Sequence, residues 1–178
     1  MKTIKTILST AVFSFFLMAS QMVGAQSLSQ KSSKISVEGT SPMHDWEMTA
    51  SSATFSGTVS GNSITNAKFS MPAKNLKSSK GKMMDNKAYG ALNADKAPNI
   101  TFIAAALPVG KSNVSGKLTI AGTTKTVSIP VTVTKNGSAY SIIGTETIKM
   151  SDFGMQRPGF MGVKTGDVVK VTVNISAQ

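Results

Sequence analysis

From Ile35 onward the chain alternates apolar and polar residues with a period of two, the pattern of strands buried on one face. Ile35 and Val37 open a first strand, and the polar stretch 26–33 ahead of it is expected to fray. Trp46, Met48 and Ala50 begin a second. Its alternation slips near Ser51-Ser52 and resumes at Phe55, Gly57 and Val59, as it does across a β-bulge. Gly61-Asn62 turns the chain. In the third strand Thr65, Ala67, Phe69 and Met71 share one face, opposite Asn66, Lys68 and Ser70.

Residues 99–108 are apolar on both faces, and 114–120 lead to a turn at 121–124. Val127, Ile129, Val131 and Val133 then alternate with Thr126, Ser128, Pro130 and Thr132. A proline on the polar side marks a sheet edge or a bulge. Asn136-Gly137 turns into the strand 140–149, and Val169, Val171, Val173 and Ile175 bring the count to eight. One segment departs from the pattern: 80–94, KGKMMDNKAYGALNA, sets Met84, Ala88 and Leu92 on one stripe at helical spacing. Gly90 weakens that helix and Pro98 ends it. Eight mostly antiparallel strands with short turns close most economically into a barrel, because closure removes exposed edges. The fold class is therefore all-β, an eight-stranded antiparallel barrel with a short helical insertion.

Composition narrows the setting. Residues 1–25 read as a secretory signal peptide, with Lys2 and Lys5 ahead of an apolar run and Val23-Gly24-Ala25 at the cleavage positions. That leaves residues 26–178 as one domain, long enough to bury a core without staples, in the periplasm or outside the cell. The chain has no cysteine. Without Lys2 and Lys5 the formal charge falls from +11 to +9, and Arg157 is the one arginine. Nucleic-acid binders rely on arginine forks and aromatic stacking, so the expected partners are an anionic membrane face or an acidic headgroup.

Three blocks then carry a likeness: NADKAPNITF (93–102), GKLTIAGTTKTVSIPVTV (116–133) and TIKMSDFGM (147–155). In this order and spacing they resemble the YceI-like, polyisoprenoid-binding family of exported bacterial proteins. The stretch SPMHDWEM (41–48) is similar to the first hairpin of one branch of it. The resemblance implies a lipocalin-like barrel and an apolar tunnel for an isoprenoid or fatty-chain lipid, with a helical insertion at its side. Ala97 stands where that family usually has tyrosine before the proline, a change expected to widen or shorten the tunnel locally.

Phe55, Phe69, Met71 and Phe102 stand on the apolar side of their strands and are expected to face inward. Methionine moulds to irregular apolar guests. Met84, Met155 and Met161, with Leu118, Phe153 and Phe160, complete the candidate tunnel lining. Lys80, Lys82 and Lys87 belong to a run of five lysines between 74 and 87, opposed only by Asp85, and are candidates for holding a headgroup. His44 is the single histidine. With Met43, Asp45 and Met48 it offers donors for copper, but no second histidine or cysteine completes a usual ligand set. No Gly-x-Ser-x-Gly elbow accompanies it, so a turn is the better reading: Ser41-Pro42 bends the chain, and His44 and Asp45 satisfy its backbone. The sequence thus points to a non-catalytic lipid-binding protein, for carriage or sequestration, without cofactor. An envelope metal protein, a hydrolase using His44 and an outer-membrane barrel are the alternatives.

Overall fold

The computed structural model describes residues 26–160 and 162–178. The expected signal peptide, 1–25, and Met161 lie outside the described residues. In chain order the strands are β1 (Gln26–Gly39), β2 (Trp46–Ala50), β3 (Thr54–Ser60), β4 (Ser63–Pro72), β5 (Lys77–Ser78) and β6 (Asn99–Pro108). They continue as β7 (Gly110–Ile120), β8 (Thr123–Asn136), β9 (Ala139–Lys149), β10 (Gly159–Phe160), β11 (Val163–Lys164) and β12 (Val168–Ala177). The single α-helix among the described residues, α1 (Lys82–Ala91), lies between β5 and β6. The sheet runs β12-β9-β8-β7-β6-β4-β3-β1-β2-β5, and pairing of β12 with β1 closes the ring.

Eight barrel positions result because β2 and β3 share one. Gln26–Ser29 of β1 pair with β3, and Ile35–Gly39 pair with β2. The slip foreseen near Ser51 is a full break between Ala50 and Thr54. Buried Ser33 pins it: its hydroxyl accepts from the Ala53 amide at 3.1 Å and donates to the Ser51 carbonyl at 3.2 Å.

Two sequence expectations need correction. Residues 26–33 do not fray. Ring closure pairs this polar run with β3 on one edge and β12 on the other, and its one large apolar side chain, Leu28, is only 2 % exposed. Backbone pairing on both edges holds what side-chain hydrophobicity would not. In β4, Thr65 does not share the face of Ala67, Phe69 and Met71. The β3–β4 register shifts between Ser56 and Thr58, and Asn66 adopts φ 51°. The inward position before Ala67 thus passes to Ile64, which is 0 % exposed, while the Thr65 hydroxyl donates to the Thr58 carbonyl at 3.1 Å.

Elsewhere the alternation carries through. Pro130 sits where β8 has an open side: the β8–β9 ladder begins only at Val131, and residues before it pair with β7 alone. The turn after β7 is two residues, Ala121 (φ 52°) and Gly122 (φ 83°), the positive-φ geometry whose twist suits a tight hairpin. Outward positions on β1 and β12 carry Lys34, Ser36, Glu38, Lys170, Thr172 and Asn174. A lipid-facing barrel wall needs an apolar outer band, and these two strands have the reverse arrangement.

The strands lead to unlike ends. At the end of the barrel where β1 and β9 begin, Leu28, Ile64, Leu107, Val133, Tyr140 and Ala177 are buried together. At the other end α1 lies across the opening, with its last residue Ala91 and the following Leu92 buried. A loop follows β9, beginning in a 3-10 turn at Met150–Phe153. It is fastened where the Met150 amide meets the Asp167 carbonyl and the Gly166 amide meets the Thr40 carbonyl, both at 2.8 Å.

Candidate ligand cavity

The ladder register sorts the inner wall into rows. The rim row joins Trp46, Gly39, Val169 and Ile148; the next joins Met48, Val37, Val171 and Glu146; the third joins Ala50, Ile35, Val173 and Gly144. Below them come Ile175 and Ile142, then the floor. These rows exist because inward side chains recur at every second residue of each strand. At the rim, the Trp46 indole fills the place that a side chain at residue 39 would take, so Gly39 is needed there. The ring is held by its Nε1–H, which donates to the Thr40 carbonyl at 3.2 Å. Phe102 lies similarly over Gly116 on the opposite wall.

Inside is an apolar cavity of about 190 Å³. Phe55, Phe69, Met71, Phe102, Leu118 and Met155 all line it. Met84 does not; it lines a second, more open groove of about 330 Å³ above the rim, with Met43, Met83 and Val163. Trp46, Met48, Ala88 and Pro158 line both spaces, so the groove continues the cavity outward. Phe153 is buried but outside the cavity lining, beneath the 3-10 turn with the Lys125 ammonium 6.0 Å from its ring centre. It belongs to the buried apolar cluster of the barrel without reaching the cavity. Met161 lies outside the described residues and the Phe160 side chain is not described. Ala97 likewise lies outside the cavity lining, beside the Gly122 turn.

The lysine run divides. Lys74 pairs with Asp95 at 2.7 Å, which holds that carboxyl below its ordinary range. The run is thus opposed by two acids and not by Asp85 alone. Lys77 lies 3.7 Å from Asp85 and beside the Tyr89 hydroxyl, which raises its pKa. Asp85 itself is buried and accepts the Ser78 amide at 2.7 Å. The Lys77–Asp85 pair ties β5 to α1, and the Lys74–Asp95 pair ties the turn before β5 to the segment after α1. Lys80 and Lys87 line the upper groove; Lys82, exposed at the start of α1, lines neither space. Three candidate headgroup lysines therefore reduce to two at the groove.

The 41–46 turn is held mainly by Ser41. Its hydroxyl donates to the His44 carbonyl at 2.7 Å and accepts the His44 amide at 3.2 Å. His44 Nδ1 lies 3.0 Å from the Asp45 carbonyl, whereas the Asp45 carboxylate takes no hydrogen bond in the turn. The expected role of Asp45 thus belongs to Ser41, whose short side chain reaches forward three residues. No group of three or more His, Cys, Asp or Glu side chains arranged for a metal occurs among the described residues.

Sequence reasoning missed the wall supplied by β9 and β12, although Ile142, Ile148, Val169, Val171 and Val173 stand at two-residue spacing. It also missed Glu146. The same spacing, Ile142-Gly144-Glu146-Ile148, gives it away as an inward position occupied by a charge.

Fold and cavity together define a hollow antiparallel β-barrel, closed by side chains at one end and roofed by a helix and a loop at the other. The YceI-like domain model matches residues 27–177, and the chain belongs to that family. Among solved structures, it is similar to BcnA of Burkholderia cenocepacia, with a TM-score of 0.70 and 25 % identity over 82 % of this chain and 96 % of that one. A polyisoprenoid-binding domain from Saccharophagus degradans, implicated in plant cell wall breakdown, shares the fold with a TM-score of 0.70 at 12 % identity, over 85 % and 97 % of the two chains. A YceI protein of Campylobacter jejuni aligns with a TM-score of 0.51 and 18 % identity over 64 % and 71 %. No curated protein matches the chain at a significant level.

Proposed function

We propose that the protein is an exported, non-catalytic carrier for a polyisoprenoid or similar long-chain lipid, working in the periplasm or outside the cell. One observation carries this reading: the apolar cavity and the methionine-lined groove meet at Trp46, Met48, Ala88 and Pro158. Membership of a family with a polyisoprenoid-binding member of the same fold supports it. The segment 1–25 supports export.

Size decides how such a guest is held. A cavity of ~150 Å³ takes benzene, so this one takes roughly eight carbons on the same scale. At about 0.8 kcal/mol per methylene that gives ~6 kcal/mol gross. Association costs at least ~4 kcal/mol. Micromolar binding needs ~8 kcal/mol net, so about seven further methylenes have to be buried. The groove supplies that contact. The lipid therefore lies with one end of its chain in the barrel and the remainder under α1 and the loop. Lys80 and Lys87 stand where an anionic headgroup would emerge, and the same face suits peripheral contact with an anionic membrane.

Native mass spectrometry of protein purified from its own host, followed by lipid extraction, tests the proposal. One long-chain lipid per protein is expected. Protein recovered empty, and unable to take up a polyprenol added afterwards, would refute it.

A further inference from the structure

Among the described residues, every one lining the cavity is apolar except Glu146, which is also the single ionisable residue there. It lies one row below the rim, with Val171 as its ladder partner and Ile148 and Gly144 two residues away on the same inner face. Among the described residues its carboxylate has no hydrogen-bond donor and no ion pair. The acids that stabilise this fold, such as Asp85, Asp95 and Asp167, all have partners. An unpaired carboxylate facing an apolar space costs stability, and a barrel wall of valine and isoleucine would be satisfied there by another of the same kind. The position also has room. The β8–β9 ladder stops at Val131 and Gly144, so no strand hydrogen-bonds Glu146 on that side. Gly144 leaves the neighbouring inner position without a side chain, its nearest neighbours there, Ile129 and Val131, being 3.6 Å from where a Cβ would stand.

We propose that Glu146 selects the ligand: it accepts a hydrogen bond from a hydroxyl, amide N–H or ammonium carried by the lipid, and excludes a carboxylate or phosphate from the cavity. The inference deepens the carrier reading and rests on it. Two opposite charges then stand at two depths. Lys80 and Lys87 at the groove attract an anionic headgroup but leave it outside, whereas Glu146 admits a neutral or cationic donor to the row beneath the rim. A lipid alcohol meets both requirements, since its chain satisfies the apolar wall and its hydroxyl satisfies the carboxylate. A fatty acid of the same chain meets like charge in a low-dielectric space, where repulsion is poorly screened.

The test displaces an apolar fluorescent dye from the delipidated protein with octadecan-1-ol, octadecylamine and octadecanoic acid, at mildly alkaline pH so that the acid is ionised. Wild type is compared with Glu146→Gln, which keeps the shape and removes the charge, and with Glu146→Leu, which removes the polar group. For wild type, the alcohol and the amine are expected to bind about tenfold to a hundredfold more tightly than the acid, the range that charge-assisted hydrogen bonds span. Glu146→Gln should bring the acid within a few-fold of the alcohol and weaken the amine most. Glu146→Leu should lose the preference for alcohol, while its melting temperature does not fall below that of wild type. An identical ranking of the three probes in all three proteins overturns this inference and leaves the carrier reading standing. Failure of every probe to displace dye from wild type overturns both.

Discussion

The floor and the mouth of the barrel both carry apolar residues, put to opposite use. At the floor, Leu28 and Ile64 are 2 % and 0 % exposed, and Leu107, Val133, Tyr140 and Ala177 are buried with them. At the mouth, Met43 and Met83 are 74 % and 59 % exposed, with Val163 beside them in the groove. Interiors are close-packed, and the floor follows that rule. The mouth leaves apolar side chains in water that a folded monomer has no need of. The difference separates what holds the barrel together from what a guest would cover, and flexible methionines at the mouth suit a guest of irregular shape.

The sharpest way to break the comparison is to charge the space between the two ends. Met71 is buried in the cavity wall, and Met71→Glu puts a carboxylate there without a partner. Capture of an apolar probe should be lost outright, with circular dichroism reporting whether the barrel survives. A folded variant with undiminished capture would place the guest elsewhere. Leu28→Ala tests the floor alone. It should cost about 2–4 kcal/mol in denaturant unfolding through the cavity it leaves, while the affinity for a polyprenol in the folded protein changes little. At the mouth the signs exchange. The double variant Met43→Ser, Met83→Ser should leave the unfolding midpoint almost unmoved, since both residues are already exposed, but weaken a long-chain ligand by roughly tenfold through lost apolar contact.

The smallest effect belongs to the lysines. Replacing Lys80, Lys82 and Lys87 with Glu should weaken a polyprenyl phosphate a few-fold and hardly change the uncharged polyprenol. That difference should shrink as salt is raised, because exposed charges are screened within about 8 Å at physiological ionic strength. Isothermal titration with both ligands at two salt concentrations reads it. Equal change for both ligands at each would make the lysines a solvated face only.

How much of this was legible in the sequence varies with the physics involved. Strands with one buried face announce themselves, so the number of barrel positions and the inward set Phe55, Phe69, Met71 and Phe102 could be read directly. Residues 26–33 could not, because their order comes from ladder bonds to β3 and β12, partners that are distant in sequence. The same holds for Thr65, displaced by a register shift that depends on how β3 meets β4. Phe153 misled for a different reason: hydrophobicity reports burial, not which interior space a side chain reaches. Lys82 misled because a run of lysines carries no sign of which members turn toward the groove. Glu146 was legible in principle, as the one charge on an inward phase, but only once the β9 alternation was taken as strictly as that of β8.

Chain length is the most direct measure of the central claim, that cavity and groove form one continuous site for a long apolar chain. Affinities of a series of linear alcohols, from about six to about eighteen carbons, should rise through the capacity of the cavity, roughly eight carbons. They should keep rising beyond it, each added methylene contributing up to ~0.8 kcal/mol until the groove is filled. A plateau at about eight carbons would confine the guest to the barrel and contradict the account. An affinity that ignores chain length throughout would contradict it more completely.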